Sequence, residues 1–486
     1  MNSKKIIPAL LGPLVFGLFY FFFFPEGLTL QANAVLSCTL WIAIWWIFEV
    51  TDISVTALLP IILFPLTGAL DIGSTTAAYG HKYIFLYMGG FILAIAIEKW
   101  NLHKRIALNI ITWIGAGISR IMLGFMIATA FMSMWISNTA TTVMMLPIGL
   151  AIISQLKDDP DTKEDENLKF GKALMLAIAY SASIGGMATL FGTPPNLVFA
   201  GIVEEVYGIE IGFGEWMVFG LPISIVLLII CWLYISKIAF KFQMDEFPGG
   251  REKIKKLLRD LGNWSKEEKR VVIVFGLMAL MLIFRQKIQL VIPEIDDTII
   301  ALSMGLLLFL IPSSKKGEVI LTWKEAVKMP WGVIILFGGG MALAAGFKDS
   351  GLAEWIGNQF ELLEVLPAFL LILILIAAVN FLTEITSNLA TTAMLLPILA
   401  PMALSIDVHP YILLVSATVA ASCAFMLPVA TPPNAIVFGS GYLKISDMIK
   451  TGIWMNIISI IILTFVVYFG LEILWGFDGQ RFPSSF

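Results

Sequence analysis

One polar motif occurs twice in this sequence, 250 positions apart. The segments are SNTATTVMMLPI at 137–148 and SNLATTAMLLPI at 387–398, identical at nine of twelve positions. Each is followed by a second shared motif, GTPPNLVF from Gly192 and ATPPNAIVF from Ala430. Ser, Asn and Thr side chains in apolar surroundings cost free energy unless a partner uses their polar groups. These four motifs are therefore the candidate functional residues.

The chemistry of these motifs follows from helix termini. Proline suits the first turn of a helix, so each TPPN should break one apolar helix and start another, with its Thr as the cap. Asn138 or Thr139, and Asn388 in the second copy, are placed to cap the helices that return from the SNx segments. Helix starts offer N–H groups to anions, and helix ends offer carbonyl oxygens to small cations. The motifs predict joint binding of an anion and cations.

The charges around the motifs favour the same chemistry. No Lys or Arg occurs at 121–156 or at 349–443, so a bound anion would meet neutral dipoles and bound cations. Glu384 is the only charged residue between 365 and 406, and the first repeat has Met134 at the equivalent position. An intramembrane carboxylate is a functional candidate, with a structural role as the alternative.

The elements that position these motifs are membrane helices. The chain has 486 residues, of which 58% are hydrophobic and 14% charged, and its mean hydropathy is +0.89. Apolar runs near the length of a membrane span recur throughout, which predicts an all-α polytopic membrane protein. The three Cys and three His residues are scattered singly, so no metal centre built on them is expected. The apolar run before Phe24 is expected to be a retained first helix, not a cleaved signal peptide.

The placement of Lys and Arg predicts the orientation. Segment 237–270 carries ten Lys/Arg against six Asp/Glu and is expected in the cytoplasm, as is the N-terminus, with the C-terminus outside. Segment 121–156 is uncharged between two basic flanks, which predicts a re-entrant hairpin entering from the cytoplasm. Its counterpart at 365–406 should enter from outside. The result is an inverted-repeat transporter with about 11 transmembrane helices plus two opposed re-entrant hairpins. Arg285 and Lys287 do not fit this rule.

The expected divisions of the chain follow from this plan. The chain begins with an N-terminal helix and an outside loop (1–34). The first repeat has scaffold helices (35–120), a hairpin (121–156), a broken helix (173–200) and a helix to 236, and a cytoplasmic linker follows it (237–270). The inverted second repeat (271–475) has scaffold helices (271–360, including a cytoplasmic amphipathic segment at 315–330), a hairpin (365–406), a broken helix (411–443) and a last helix (452–475), and the chain ends in an outside tail (476–486).

The paired SNx and TPPN motifs, with Ser422-x-x-Phe425-x-x-Pro428-Val429-Ala430-x-x-x-Asn434, resemble the divalent anion/sodium symporter family over nearly the whole chain. The resemblance implies a sodium-coupled symporter, not an enzyme, that carries a C4-dicarboxylate such as succinate, malate or fumarate together with at least two sodium ions. It also implies a homodimer in the plasma (inner) membrane whose transport domains move like elevators against scaffold domains.

Site residues carried over from the family by position form three sets. The first sodium site is expected at Ser133, Ser137, Asn138 and Gly192, and the second at Thr383, Thr386, Asn388 and Ala430. Substrate is expected to bind Ser137, Asn138, Thr139, Thr193, Pro194, Ser387, Asn388, Thr431 and Pro432. Leu389 departs from the family pattern, because many bacterial members have Thr there, and this removes a hydroxyl from one side.

The sequence disfavours some alternative functions and leaves others open. A sodium-independent dicarboxylate exchanger, or a sodium-coupled citrate or sulfate transporter of the same fold, uses a similar plan. The exchanger is disfavoured because both sodium sites keep their oxygen-bearing residues. An intramembrane protease would need HExxH or paired catalytic residues, which the sequence lacks. A passive channel would not need two opposed hairpins.

Overall fold

The computed structural model describes residues 3–115, 117–157, 164–242, 250–359, 367–479 and 481–483. Over these ranges the chain is helical, with one isolated β-bridge between Pro312 and Val319 and no strand. Seven helical segments are long and apolar enough to cross a membrane, and six shorter apolar helices accompany them. The predicted all-helical membrane class is confirmed for the described residues. The expected boundaries at 1, 360, 365 and 486 lie outside them.

The helices of the first half begin and end as follows: Ser3–Phe22 (α1), Leu30–Ile47 (α2), Ile53–Thr56 (α3), Leu59–Thr67 (α4), Ile72–Ala77 (α5), Lys82–Lys99 (α6), Leu102–Ile114 (α7), Ile118–Ser133 (α8), Asn138–Lys157 (α9), Glu164–Gly186 (α10), Pro194–Tyr207 (α11) and Phe213–Leu233 (α12).

The helices of the second half are Gly250–Asp260 (α13), Lys266–Ile283 (α14), Arg285–Gln289 (α15), Asp297–Leu307 (α16), Trp323–Ala326 (α17), Trp331–Asp349 (α18), Leu352–Gln359 (α19), Ala368–Thr383 (α20), Asn388–Ser405 (α21), Pro410–Ala421 (α22), Pro432–Phe438 (α23), Ile445–Phe465 (α24) and Leu471–Trp475 (α25).

The two halves have matching helix boundaries. Both ends of α8 and α20 differ by 250 residues, as do the starts of α9 and α21. The turns before α7 and α19 contain Asn101 and Gly351, again 250 apart, and both residues have left-handed backbone, with φ of 54° and 78°. The sequence repeat is therefore also a structural repeat down to single turns.

Two equivalent glycines let α6 and α18 approach the opposite half of the chain. A Cβ atom added to Gly89 would lie 2.5 Å from the backbone carbon of Ala301 on α16. One added to Gly339 would lie 2.6 Å from the carbonyl oxygen of Ala57, which follows α3. Only glycine permits such backbone contact. Each half is thus packed onto the other through α6 and α18.

Several connecting segments differ from expectation. The amphipathic helix α13 lies in the segment 237–270, predicted only as a cytoplasmic linker. The segment at 315–330, predicted to be an amphipathic piece, contains only the four-residue helix α17. Short helices of this kind take their stability from tertiary contacts, so local periodicity is a weak guide to them.

Arg285 belongs to an ion-pair cluster, here called the Arg285 cluster, that joins the two halves of the chain. The Arg285 guanidinium pairs with Glu210 and lies 3.6 Å from Asp297 Oδ1. Beside it, Lys82 Nζ lies 2.6 Å from Glu204 Oε1 and 3.4 Å from Glu210 Oε2. The charge rule counts basic residues without their partners, so this pairing gives Arg285 a structural role that the rule does not consider.

Candidate functional site

The first SNx segment, 137–139, joins α8 to α9. The backbone oxygen of Ser137 accepts a bond from Thr141 N (2.9 Å), and its Oγ accepts one from Ala140 N (3.3 Å). Ser137 therefore caps α9, and the expectation that Asn138 or Thr139 does so is wrong. Asn138 is the first helical residue, and its side chain turns back toward the end of α8.

Four oxygen atoms meet where Asn138 reaches α8, and we call them the first oxygen cluster. Ser133 Oγ lies 2.5 Å from Asn138 Oδ1 and 2.7 Å from the carbonyl oxygen of Ala182. With the amide turned over, its nitrogen would lie 3.0 Å from that carbonyl and 3.1 Å from the carbonyl oxygen of Gly192 and would donate to both. A serine hydroxyl has a single proton, which cannot satisfy all these contacts. Either the amide turns so that its nitrogen donates, or a cation lies among the oxygens.

Gly192 closes this cluster tightly. A Cβ atom there would lie 2.7 Å from the carbonyl oxygen of Ser133, so a larger residue would push the two apart. The second half has Ala430 at the equivalent position. The two clusters are thus similar without being identical.

The second oxygen cluster repeats three of these positions. Thr383 Oγ1 lies 2.7 Å from Asn388 Oδ1 and 3.1 Å from the carbonyl oxygen of Ala421. Asn388 is again the first helical residue, so the expectation that it caps α21 is also wrong, and Ser387 occupies the cap position. Thr386, expected in the same sodium site, instead bonds to Leu382 O (2.8 Å) and contacts Thr391 Oγ1 (2.6 Å).

The two TPPN motifs start α11 and α23 with proline in the first turn, as expected. The Thr431 side chain accepts a bond from Asn434 N, which agrees with the predicted cap. Thr193 makes no side-chain cap bond, so that part of the expectation is wrong.

The asparagine of each motif braces the broken helix before it. Asn196 Nδ2 lies within bonding distance of the carbonyls of Gly186, Met187 and Thr189, at 2.7–3.3 Å. Asn434 Nδ2 bonds to Ala424 O (3.2 Å) and Leu427 O (3.0 Å). Unwound backbone inside a membrane protein needs such partners, since it has no water to bond.

The second break, residues 422–431, has a further brace from Glu384. Its carboxylate accepts bonds from the backbone nitrogens of Phe425 (2.7 Å), Met426 (2.9 Å) and Leu427 (3.0 Å). Asn456 Nδ2 on α24 donates a fourth bond, at 2.8 Å. Glu384 is 3% exposed. A structural role for this carboxylate is therefore evident from its bonds.

All four motifs line one cavity of about 870 Å³, although they are far apart in sequence. The nine residues expected to bind substrate all belong to its lining. The two sides differ at equivalent positions, because Thr139 is exposed in the cavity and Leu389 is buried. One wall therefore has a hydroxyl where the other has a hydrocarbon side chain.

The mouth of the cavity carries the charges that its inner end lacks. Glu49, Asp52, Glu98 and Lys328 are exposed lining residues, and Lys328 is the one basic side chain among the described residues of the lining. Sequence reasoning missed these four, as well as the carbonyls of Ala182 and Ala421. A backbone oxygen has no sequence signature. The end of α8 at Ser133, a predicted sodium ligand, is the signal that could have directed attention to the carbonyl groups beside it.

Comparison with solved structures shows which known proteins share this fold. The chain superimposes on MtrF of Neisseria gonorrhoeae, described as illuminating a class of antimetabolite efflux pumps, with TM-score 0.59 over 99% of this chain and 96% of that one, at 13% identity. It superimposes on the YdaH transporter of Alcanivorax borkumensis, described as having an unusual topology, with TM-score 0.56 over 84% and 88%, also at 13% identity. The chain therefore shares the fold of these two proteins.

The family is shown by sequence. A profile described as the sodium:sulfate symporter transmembrane region matches residues 3–475, so the chain belongs to this family of divalent anion/sodium symporters, as its motifs predicted. It is a multi-pass membrane transporter and not an enzyme. The sodium-dependent dicarboxylate transporter SdcS of Staphylococcus saprophyticus is 48% identical over 98% of this chain and 93% of the relative. The SdcS protein of Staphylococcus aureus is 47% identical over the same shares.

Proposed function

We propose that this chain is a sodium-coupled symporter of a divalent anion, with a C4-dicarboxylate as its substrate. The observation that carries the proposal is the single cavity lined by all four motifs. Helix starts and hydroxyls at its inner end suit carboxylate oxygens, and the two oxygen clusters suit small hard cations. The names of the SdcS relatives favour a dicarboxylate over sulfate or citrate.

Sodium binds at least twice in this proposal, once at each oxygen cluster. The first site comprises Ser133, Asn138 and the carbonyls of Ala182 and Gly192, with Ser137 beside it. The second comprises Thr383, Asn388 and the carbonyl of Ala421, with Thr386 and Ala430 beside it. A dianion at mid-membrane without a fixed cation depends on this charge, so sodium binds first. If more than two sodium ions accompany each dianion, a negative inside potential assists by about 2.3 kcal/mol per net charge for each ~100 mV.

The substrate meets the inner end of the cavity: Ser137, Asn138, Thr139, Thr193, Pro194, Ser387, Asn388, Thr431 and Pro432. Leu389 replaces a hydroxyl with an apolar wall on one side. Such a wall favours the hydrocarbon part of a C4-dicarboxylate over the added carboxylate of a tricarboxylate, whose desolvation it would not repay.

The transport cycle follows from where the cavity opens. Its mouth carries Glu49, Asp52, Glu98 and Lys328, at the end predicted to be cytoplasmic, so the conformation is inward-facing. We infer that α8–α9 and α20–α21 are the two opposed re-entrant hairpins among about 11 spans. They move with the broken helices past the scaffold helices of both repeats in an elevator-like manner. A homodimer in the plasma membrane, with the N-terminus cytoplasmic and the C-terminus outside, completes the proposal.

Uptake into proteoliposomes tests the proposed function. Labelled succinate should enter under an inward sodium gradient and should not enter when potassium replaces sodium, with unlabelled citrate and sulfate competing poorly. Asn138→Ala and Asn388→Ala should each reduce uptake to background while the protein remains folded, because each removes an oxygen from a cluster. Asn109→Ala, on the exposed face of α7, is the matched control and should transport normally. Undiminished uptake without sodium would refute the symport proposal.

A further inference from the structure

Glu384 is a buried carboxylate without a cationic partner. None of the ion pairs among the described residues includes it, so its charge is balanced by three backbone N–H groups and the amide of Asn456. Charge-assisted bonds of this kind are strong, but burying a charge in a membrane protein is costly. A cost of this size calls for a reason beyond bracing a loop.

The first repeat shows that a break can be held without a charge. Its break is braced by Asn196, by Trp216 Nε1 at 3.0 Å from Met187 O, and by Thr189 Oγ1 bonding to the carbonyl of Met134. Met134 is the counterpart of Glu384, and only its backbone takes part. Neutral groups therefore suffice for the bracing, and the second repeat has something more.

What Glu384 adds is negative charge beside the second oxygen cluster. It directly follows Thr383, a member of that cluster, at the end of α20. The segment that it holds begins just after Ala421, whose carbonyl belongs to the same cluster, and leads to Ala430 in the cavity lining. Its bonds to Phe425–Leu427 and its charge therefore both act on the second oxygen cluster.

We propose that Glu384 is a positioning residue for the second sodium site, which it does not touch. It fixes the backbone of 425–427, and its charge makes the second site bind sodium more tightly than a neutral side chain in its place would. This inference rests on the proposed function. Removing a unit charge from beside a cation site weakens cation affinity, on the order of tenfold at the effective dielectric constant of ~20 that describes proteins.

Sodium-dependent thermal stability of the purified protein tests this inference without requiring transport. Wild-type protein is titrated with sodium, balanced by potassium and without substrate, and the sodium midpoint of the rise in Tm is measured. Glu384→Gln keeps the side-chain shape and should raise that midpoint about tenfold. Met134→Gln, the matched change in the first repeat, should leave it within about twofold.

Two further variants separate charge from bracing. Asn456 Oδ1 already accepts a bond from Phe425 N at 3.2 Å, so Glu384→Gln with Asn456→Asp returns a carboxylate to the segment and should recover most of the midpoint. Glu384→Asp keeps the charge with shorter reach, should stay close to wild type, and serves if Glu384→Gln does not fold.

The outcomes that contradict the inference are distinct from failure of the proposed function. A Glu384→Gln protein with lower Tm at every sodium concentration and an unchanged midpoint would make Glu384 a brace only and overturn the inference alone. A Glu384→Asp protein with a midpoint tenfold above wild type would also overturn it. A wild-type protein that sodium stabilises no more than potassium would overturn the proposed function, and this inference with it.

Discussion

Replacing Thr383 by valine removes one oxygen from the second cluster and almost nothing else. The side chain is fully buried and β-branched, and valine has nearly the same shape. The lost hydroxyl lies 2.7 Å from Asn388 Oδ1 and 3.1 Å from Ala421 O. Interactions of a polar group with a charge contribute about 1.5–3 kcal/mol, which corresponds to a roughly 10- to 150-fold weaker sodium affinity.

The assay is initial succinate uptake into proteoliposomes as a function of external sodium. Thr383→Val should shift the half-saturating sodium concentration upward by that factor, while succinate remains preferred over citrate and sulfate when sodium is saturating. The preference for succinate should persist because Thr383 belongs to the proposed sodium site and not to the residues that contact the substrate. Thr392→Val is the control, since this buried hydroxyl bonds only to the carbonyl of Asn388, at 2.8 Å within its own helix. An unchanged sodium midpoint in Thr383→Val would refute the second sodium site.

Two other predictions concern topology and conformation. Ser154 and Leu404 are exposed, lie 250 residues apart and end equivalent helices, so cysteine at 154 should label only from the cytoplasm and cysteine at 404 only from outside. Labelling of both from one side would contradict the opposed hairpins. Lys82→Gln removes a partly exposed ion pair of the Arg285 cluster and should increase labelling from outside of a cysteine at Ala140 in the cavity by a few-fold, because such pairs contribute ~1 kcal/mol at most. Unchanged labelling would show that the cluster does not stabilise the inward-facing conformation.

The SNx segments and the helix breaks at TPPN could be predicted because polar residues inside a membrane protein are costly and because these polar motifs occur twice. Nothing in composition explains two copies of SNx and TPPN except a shared site, and the structure places them around one cavity. The repeat offset of 250 likewise gave the pairing of α8 with α20. These features depend on side chains and their spacing, which a sequence displays.

The remaining features depend on tertiary contacts. Asn138 and Asn388 looked like helix caps by local rules. In the structure the Asn138 side chain turns toward Ser133 and the Asn388 side chain turns toward Thr383, at the end of the preceding helix. The carbonyls of Ala182 and Ala421 join the clusters only because α10 and α22 pass beside α8 and α20. The partners of Glu384 lie more than 40 residues away in sequence, and Arg285 pairs with Glu210 in the other half of the chain, so neither role could be assigned from adjacent residues.

Equilibrium binding of labelled succinate to the purified protein tests the central claim most directly, because it removes membrane potential and conformational cycling from the measurement. The inner end of the cavity has no basic side chain among its described residues, so bound sodium must supply the positive charge. Succinate should bind in sodium and not in potassium at equal ionic strength, with an apparent affinity that rises steeply with sodium concentration. Equal affinity in both salts would contradict the account.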